Sequence, residues 1–301
     1  MADRFVENEQ MEAPDEVDGG GLSCLRKNDS DEENSENNIA KRFADSLVLS
    51  KSSKYAEFYS MNYKYNGYLL ILAHSTFTVG NKEDRKAAGE DIQMLRRSFS
   101  RLNFKIEVHE NLRLQELQNV IMRVSSMDFE NYATFALAVS SHGNPGLFFA
   151  KDATYDPDEE LFEPFKKNES LFGKPKIFFL EPCRGISVDD GVTLLSSVET
   201  DGNQLEEVTI PREADILLVY ATVEGYIAFQ NNRHGSQFFI YLTEALNTFA
   251  GDHDLLSILI LANQRLSIDF ESYNSKAPKW SGKKQCMCIV HTLTRRIMFK
   301  L

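Results

Sequence analysis

Cys183 and His142 are the two residues whose types and placement could carry covalent chemistry. Each follows a predicted buried strand, and they stand about forty residues apart. A thiol attacks as its thiolate, which a neighbouring histidine or cation promotes. A cysteine and a histidine that meet in space from separate strand ends form the arrangement used by cysteine proteases. The pair therefore predicts catalysis through a thiol.

Gly143 extends this hypothesis because glycine permits close backbone approach. Its N–H, together with that of Cys183, could bind the oxyanion of a tetrahedral intermediate. Each residue alone also has a structural interpretation. A free cysteine is commonly a small buried hydrophobe, and a single histidine is commonly a loop or core residue. Placement at matching strand ends favours the catalytic interpretation of the pair.

The elements that must position these residues alternate along the chain. Apolar runs predict strands at 68–73, 104–108, 132–139, 175–180, 216–221 and 285–293, and helical spacing predicts helices at 90–102, 112–125, 236–249 and 254–268. This alternation is typical of an α/β fold with a central, mostly parallel sheet and helices on both faces. In such sheets ligands bind at the carboxyl ends of the strands, where both candidate residues are predicted.

Acidic charge is concentrated near the N-terminus. Residues 1–38 hold twelve Asp or Glu and three Lys or Arg, which is −9 of the formal net charge of −12. Residues 1–50 contain few large apolar side chains, so we expect a disordered acidic segment. The rest of the chain lacks the strong positive charge that a nucleic-acid partner would favour. We therefore expect no nucleic-acid partner.

The cysteines are too sparse for a disulfide framework. They are Cys24, Cys183, Cys286 and Cys288. This usage indicates a reducing compartment, and we expect a cytoplasmic protein. No paired Cys and His spacing suits four zinc ligands, so neither a metal nor another cofactor is expected. No apolar run of about eighteen residues predicts a membrane helix, and residues 1–10 lack the pattern of a secretory signal.

A series of short motifs surrounds the candidate residues, namely Ser141-His142-Gly143, Gly173-Lys174-Pro175-Lys176, Glu181-Pro182-Cys183-Arg184-Gly185, Ala214-Asp215-Ile216, Tyr220-Ala221-Thr222, Gly225-Tyr226, Gly235-Ser236 and Lys283-Lys284-Gln285. In type, order and spacing they resemble the motifs of caspases, specifically the executioner-like kind with a short N-terminal segment. The resemblance covers about residues 60–301. It implies a caspase-like fold with a prodomain (1–50), a large catalytic subunit (51–185), a linker (186–212) and a small subunit (213–301).

The resemblance also implies a role for each site residue. Cys183 would be the nucleophile, and His142 would be the general acid for the leaving amine. The N–H groups of Gly143 and Cys183 would bind the oxyanion, and the substrates would be proteins or peptides. The hydrophobic pocket for the second residue upstream of the cut would be shaped by Ile227, Phe229 and Trp280.

The pocket that gives caspases their preference for aspartate departs from the family pattern. Caspases bind that carboxylate with two arginines and a glutamine. Here Arg85 matches the first arginine, Glu181 replaces the glutamine and Gln230 replaces the second arginine, which changes the formal charge from +2 to 0. Removing one partner of a buried charge pair costs about 3–5 kcal/mol, and Arg85 can pair with Glu181 instead. We expect poor cleavage after aspartate, unless Glu181 points away or Arg233 replaces the lost arginine.

Two tetrapeptides resemble sites that caspases cut. Cleavage after Asp18, in Asp15-Glu16-Val17-Asp18, would release the acidic segment, and cleavage after Asp201, in Val198-Glu199-Thr200-Asp201, would separate the two subunits. An acidic segment can contain such a tetrapeptide by chance. Two sites at both of the expected places favour maturation by an upstream or executioner caspase.

Three functions are compatible with these features. The first is a cysteine endopeptidase of apoptosis or a related cascade with weak or altered selectivity. The second is a decoy that regulates an active caspase by pairing through the strand predicted at 285–293. The third, a plain α/β binding protein, is disfavoured by the number of motifs. The intact Cys183 and His142 narrowly favour the first, and a homodimer or a heterodimer with another caspase is expected for the first two.

Overall fold

A six-stranded sheet runs through the centre of the structure, a computed structural model that describes residues 55–189, 211, 213–231, 233–275 and 277–301. The strands are β1 (Tyr65–Ala73), β2 (Phe104–Glu110), β3 (Tyr132–Ser140), β4 (Gly143–Asn144), β5 (Leu147–Phe149), β6 (Thr154–Tyr155), β7 (Lys176–Leu180), β8 (Gly185–Ser187), β9 (Ile216–Tyr220), β10 (Gly225–Tyr226), β11 (Gln230–Asn231), β12 (Gly235–Ser236) and β13 (Cys288–His291). The helices are α1 (Ala88–Arg101), α2 (Leu114–Ser125), α3 (Glu163–Lys166), α4 (Gln237–Phe249) and α5 (Leu255–Asp269), with short π or 3₁₀ turns at Asp158–Phe162, Glu169–Leu171 and Pro278–Trp280.

The central sheet has the strand order β13-β9-β7-β3-β1-β2. Strands β2, β1, β3, β7 and β9 pair in parallel, and β13 joins the edge antiparallel to β9. Parallel pairs need crossover connections, and α1, α2 and α3 lie in the connections that join β1, β2, β3 and β7. The predicted α/β fold with a mostly parallel sheet is therefore confirmed.

Helices cover both faces of this sheet. Leu69 and Ile71 of β1 join the apolar cluster beneath α1, α4 and α5, whereas Leu70 and Leu72 join the cluster beneath α2 and α3. Successive side chains of a strand point to opposite faces, so a strand covered on both sides is apolar at every position. This packing explains the continuous apolar runs of β1 and β3.

The carboxyl ends of β3 and β7 lie side by side. The two strands are parallel neighbours, and Val139 is in register with Leu180. His142 and Cys183 follow these two positions three residues later in each case. The sheet therefore delivers both candidate residues to the same edge, as the sequence predicts.

The last strand is shorter than the predicted range of 285–293. Its pairing with β9 covers only Cys288 to His291. Before it, the Met287 N–H donates to Asn263 Oδ1 of α5 at 2.7 Å, and the Gln285 side chain bonds to Ala221 O at 2.8 Å. Side-chain partners thus replace strand partners over these residues. Within the described ranges no helix is long and apolar enough to cross a bilayer, and no cluster of three or more metal-ligating side chains occurs.

Candidate active site

Gly143 packs against the backbone that carries Cys183. A Cβ atom at position 143 would overlap the carbonyl oxygen of Cys183 and crowd Pro182. Only glycine allows this approach without a shift of the backbone. The segment after β3 therefore lies directly on the segment after β7, and this contact brings the predicted catalytic residues into one site.

The His142 ring is fixed by a backbone oxygen and an aromatic neighbour. Its Nε2 lies 2.8 Å from the carbonyl oxygen of Glu83, and its centroid lies 4.7 Å from that of Phe77. A carbonyl oxygen only accepts, so Nε2 carries the hydrogen and Nδ1 of the neutral ring has a free lone pair. Burial, followed by the positive charges of Arg85 and Lys82, lowers the pKa of His142 to about 4. At neutral pH the ring is uncharged and able to accept a proton.

The Cys183 thiol is held by the backbone of Ala228. The Ala228 N–H donates to Sγ at 3.3 Å, and Sγ lies 3.7 Å from the Ala228 oxygen. Burial raises the pKa of the Cys183 thiol, and the backbone contact and two nearby cations only partly offset the rise. Arg85 and Lys82 lower this pKa, as expected of nearby cations, but burial is the larger effect and the net shift is upward. The resting pair is a neutral thiol and a neutral imidazole.

The residues after Cys183 are joined to the segment that carries Ala228. Arg184 N donates to Tyr226 O at 3.0 Å, and Gly225 N donates to Arg184 O at 3.1 Å. A Cβ atom at Gly185 would overlap the backbone of Gly225, so this pair of strands, β8 and β10, also depends on glycine. These bonds hold the segment of Gly225 and Tyr226 beside Arg184, and they thereby position Ala228 against the Cys183 thiol.

The three predicted pocket hydrophobes belong to the apolar cluster beside this segment. Ile227 and Phe229 are buried, Trp280 is half-buried, and all three belong to one cluster. The Phe229 N–H donates to Gln285 Oε1 at 2.8 Å, and its ring packs 5.2 Å from that of Phe270. The Gln285 side chain therefore holds the backbone of the segment at Phe229. The Lys283-Lys284-Gln285 motif in the sequence does not predict this contact. The part of these hydrophobes in substrate binding stays a prediction.

Arg85 is buried beside Glu181, and the two form an ion pair. Its Nη2 lies 2.6 Å from Glu181 Oε2, and its Nη1 donates to Ser140 Oγ at 2.7 Å and to His74 O at 3.4 Å. Both charged side chains are only 4% exposed. The Ser141 N–H donates to the same Glu181 oxygen at 3.2 Å. Glu181 thus turns toward Arg85, and the alternative that it points away is wrong.

Asp91 completes this cluster, and the sequence does not identify it. Its Oδ2 accepts from Ser140 Oγ at 2.7 Å and lies 3.9 Å from Arg85 Nη2, and its Oδ1 accepts from Ser236 N at 2.7 Å. An acidic residue in the first turn of a helix is usually explained by the helix dipole. The sequence therefore gives no reason to expect that Asp91 is buried and contacts Arg85 and Ser140.

The carboxyl groups of this cluster resist ionisation. Burial raises the pKa of Glu181 to about 7, with Arg85 opposing the rise and Asp91 adding to it. Burial likewise raises the pKa of Asp91. One arginine does not fully compensate two carboxylates in a buried site, so a proton held there near neutral pH relieves the excess of negative charge.

Gln230 and Arg233 lie on the hairpin of β11 and β12. Gln230 pairs through its backbone with Ser236, and within the described residues its buried Nε2 has no hydrogen-bond partner. Arg233 is exposed at the turn, where its N–H donates to Asn231 Oδ1 at 2.7 Å. Its side chain is therefore not buried with Arg85 in this structure. The predicted processing residues Asp18 and Asp201 lie outside the described residues.

Several known proteins resemble this chain in sequence and in fold. The model of the Caspase domain family matches residues 66–298. Caspase-1 of Drosophila melanogaster is 34% identical over 82% of this chain and 77% of its own length. Caspase-7 of Gallus gallus is 29% identical over 95% of this chain and 92% of its own length. The crystal structure of Caspase-1 from Spodoptera frugiperda superposes with a TM-score of 0.76 at 32% identity, over 83% of this chain and 96% of that one.

Gly143→Ala should destabilise the fold by about 1–3 kcal/mol, because the new methyl group displaces the Cys183 backbone. Urea unfolding measures this loss. Gly89→Ala in α1 is the matched control, since a Cβ there meets nothing within 4 Å. It should leave stability unchanged or raise it by up to about 1 kcal/mol. Equal losses in the two variants would contradict the close contact at Gly143.

Glu181→Gln should reduce the dependence of stability on pH. Because the native pKa of about 7 exceeds the ordinary value of 4.5, the native state holds more protons between these limits. The stability that Glu181 contributes to the native state is therefore fully present below about pH 4.5 and is lost as pH rises through 7. The free energy of unfolding falls by about 1–3 kcal/mol over this range.

Unfolding free energies measured in urea from pH 5 to pH 8, in steps of about half a unit, test this expectation. The exposed Glu159→Gln is the control and should keep the wild-type slope. An unchanged slope in Glu181→Gln would show that Glu181 holds no proton in this range.

Proposed function

The chain belongs to the caspase family of cysteine proteases, and we propose that it is a cysteine endopeptidase of apoptosis or a related cascade whose pocket for aspartate is impaired. Cys183 and His142 lie at neighbouring strand ends, which supports retained protease chemistry. The 2.6 Å contact between Arg85 and Glu181 is the observation that supports an impaired pocket for aspartate. It occupies the guanidinium that, by the family pattern, would bind the substrate carboxylate.

In the proposed reaction, Cys183 Sγ attacks the scissile carbonyl carbon and its proton passes to His142 Nδ1. The N–H groups of Gly143 and Cys183 stabilise the resulting oxyanion. His142 then gives the proton to the leaving amine, and water hydrolyses the thioester that remains. The lowered pKa of His142 and the raised pKa of the Cys183 thiol keep both groups neutral at rest and oppose transfer of the thiol proton before a substrate binds.

A substrate aspartate would meet two obstacles in the pocket. It must displace the Glu181 carboxylate from Arg85, and it must enter a buried site beside a like charge. Gln230 cannot replace the missing arginine as a charged partner. A lost partner of a buried charge costs about 3–5 kcal/mol, which corresponds to about two to four orders of magnitude in rate. We therefore infer weak cleavage after aspartate.

A regulatory decoy is the second candidate, and the same occupied pocket supports it. Strand β13 forms one edge of the central sheet, and within the described residues nothing pairs with its outer side. Val290 of this strand is 49% exposed. An open edge strand is a template for pairing with a second chain. A homodimer, or a heterodimer with an active caspase, through β13 would fit this edge.

Turnover of peptides that differ only in the residue before the cut should test the enzyme proposal. The linker-cleaved protein should cleave the aspartate peptide at least about a hundredfold more slowly than a Glu181→Gln/Gln230→Arg variant, because the double change restores the charge of the pocket. Cys183→Ala, in both backgrounds, is the control and should abolish turnover.

The outcomes separate the two candidates. Efficient cleavage after aspartate by the unchanged chain would contradict the pocket argument and would point to Arg233 as a substitute. No Cys183-dependent cleavage of any peptide, with activity restored by the double change, would place the decoy first. The decoy should then alter the activity of an added active caspase in proportion to the heterodimer formed.

Incubation with an active executioner caspase should cut the chain after Asp18 and Asp201, because both tetrapeptides fit the sites that the family cuts. Intact mass spectrometry should detect the released N-terminal segment and the two subunits. Asp18→Ala and Asp201→Ala should each remove one cut and leave the other. A chain that stays intact at an enzyme concentration that fully processes a control caspase would exclude this maturation route.

A further inference from the structure

Lys82 is a cation beside the predicted catalytic pair that the proposed reaction does not use. Its side chain is half-buried, and its Nζ lies 4.8 Å from the centre of the Phe149 ring. In the part of the chain that the structure describes, Lys82 makes no ion pair. An aromatic face attracts a cation without neutralising it. The charge of Lys82 therefore remains available to its other neighbours.

The segment that carries Lys82 also holds the His142 ring. The next residue along the chain is Glu83, whose carbonyl oxygen lies 2.8 Å from His142 Nε2. Phe149 connects the two side chains from the other direction. Its N–H donates to the His142 carbonyl oxygen at 3.2 Å, and its ring lies 6.5 Å from the His142 ring and 4.8 Å from Lys82 Nζ. Backbone and ring contacts thus fix the ammonium group beside the predicted catalytic histidine.

Three charged groups face the Cys183 thiol. The negative charge of Glu181 opposes formation of the thiolate, whereas the positive charges of Arg85 and Lys82 favour it. The interaction is mutual, because burial lowers the pKa of Lys82 and the charge of Cys183 raises it. The ammonium group and the sulfur therefore lie within range of each other's charge. The His142 ring adds no charge near neutral pH, since its pKa is about 4.

The two cations differ in the negative charge that surrounds them. Arg85 Nη2 lies 2.6 Å from Glu181 Oε2 and 3.9 Å from Asp91 Oδ2, so two carboxyl groups offset its charge. When both are ionised, these three residues carry a formal charge of −1. Lys82 has no carboxylate at ion-pair distance among the described residues. It is therefore the cation whose charge reaches the thiol without an adjacent opposing charge.

We propose that Lys82 is a positioning residue that stabilises the Cys183 thiolate and so offsets the negative charge that Glu181 brings to the site. It acts through the electrostatic potential at Sγ and not through contact with a substrate. The same charge opposes a proton on His142, so it favours a thiolate beside a neutral ring. This role concerns the reactivity of the thiol itself and goes beyond the proposed function, because it requires no peptide cleavage.

Alkylation of Cys183 by iodoacetamide, measured in the full chain as a function of pH, tests the proposal. The thiol first loses its proton to water, and the thiolate sulfur then forms a bond to the methylene carbon of the reagent as iodide leaves. Cys183 is only half-buried, so a small reagent can reach it. Mass spectrometry of the peptide that contains Cys183 separates its rate from those of the other three cysteines. The midpoint of the rate against pH is the quantity to compare.

Lys82→Met removes the charge and keeps an unbranched apolar stem. It should raise the midpoint by about half a pH unit or more, so that alkylation at about pH 7.5 slows by about threefold or more. Lys82→Arg keeps the charge and should not raise the midpoint. Lys86→Met is the matched control, since Lys86 is exposed on the same segment, and it should leave the midpoint unchanged. Glu181→Gln should lower the midpoint, because it removes the opposing charge. Thermal unfolding confirms that each variant is folded.

An unchanged midpoint in Lys82→Met, or an equal rise in Lys86→Met, would overturn the proposal. An equal rise in Lys82→Arg would assign the effect to packing instead of charge and would overturn it as well. A rise in Glu181→Gln would contradict the opposing effect of that carboxylate on the thiolate. Failure of the proposed function is a separate result, because alkylation reports on the thiol whether or not the chain cleaves peptides.

Discussion

The buried guanidinium of Arg85 is the constraint on which the site depends. A charged group removed from water must be compensated by partners that are themselves held in place. These partners come from the end of β1 through His74, from the end of β3 through Ser140 and from just beyond β7 through Glu181. Asp91 lies in α1, contacts Arg85 and accepts a hydrogen bond from Ser236 at the start of α4, so it connects both helices to the same guanidinium. One cation therefore joins three strand ends and two helices at the edge of the sheet that carries Cys183 and His142.

This arrangement gives Glu181 two roles that conflict. Its carboxylate accepts hydrogen bonds from the Arg85 guanidinium and from the N–H of Ser141, which is the residue just before His142. It thereby links the two segments that carry the predicted catalytic pair. The same carboxylate fills the position in which a substrate carboxylate would bind by the family pattern. A substrate anion would have to break a structural contact to enter, so the impairment that we propose would lie in the architecture of the site and not only in a missing arginine.

The fold was open to prediction because it follows from local patterns. The apolar runs of β1 and β3 and the helical spacing of α1 and α5 identify their elements within a few residues, whereas the strand order comes from the structure. Glu181 and Gln230 were visible because the motifs around them are specific. Asp91 and Gln285 were not, because their partners lie far away in sequence. The raised pKa of the Cys183 thiol also escaped prediction, since it depends on how closely the folded chain encloses Sγ.

Charge balance explains how the two departures in the pocket act together. A pocket with two arginines keeps an excess of positive charge until a substrate carboxylate neutralises it, so binding and charge compensation coincide. Here Glu181 supplies the negative charge from within, and the replacement of the second arginine by Gln230 removes the positive charge that would remain. The 2.6 Å ion pair is thus complete before any ligand arrives. With Asp91 beside the pair, the cluster carries an excess of negative charge that a substrate anion would increase, so the proposed selectivity against aspartate follows from charges already in the site.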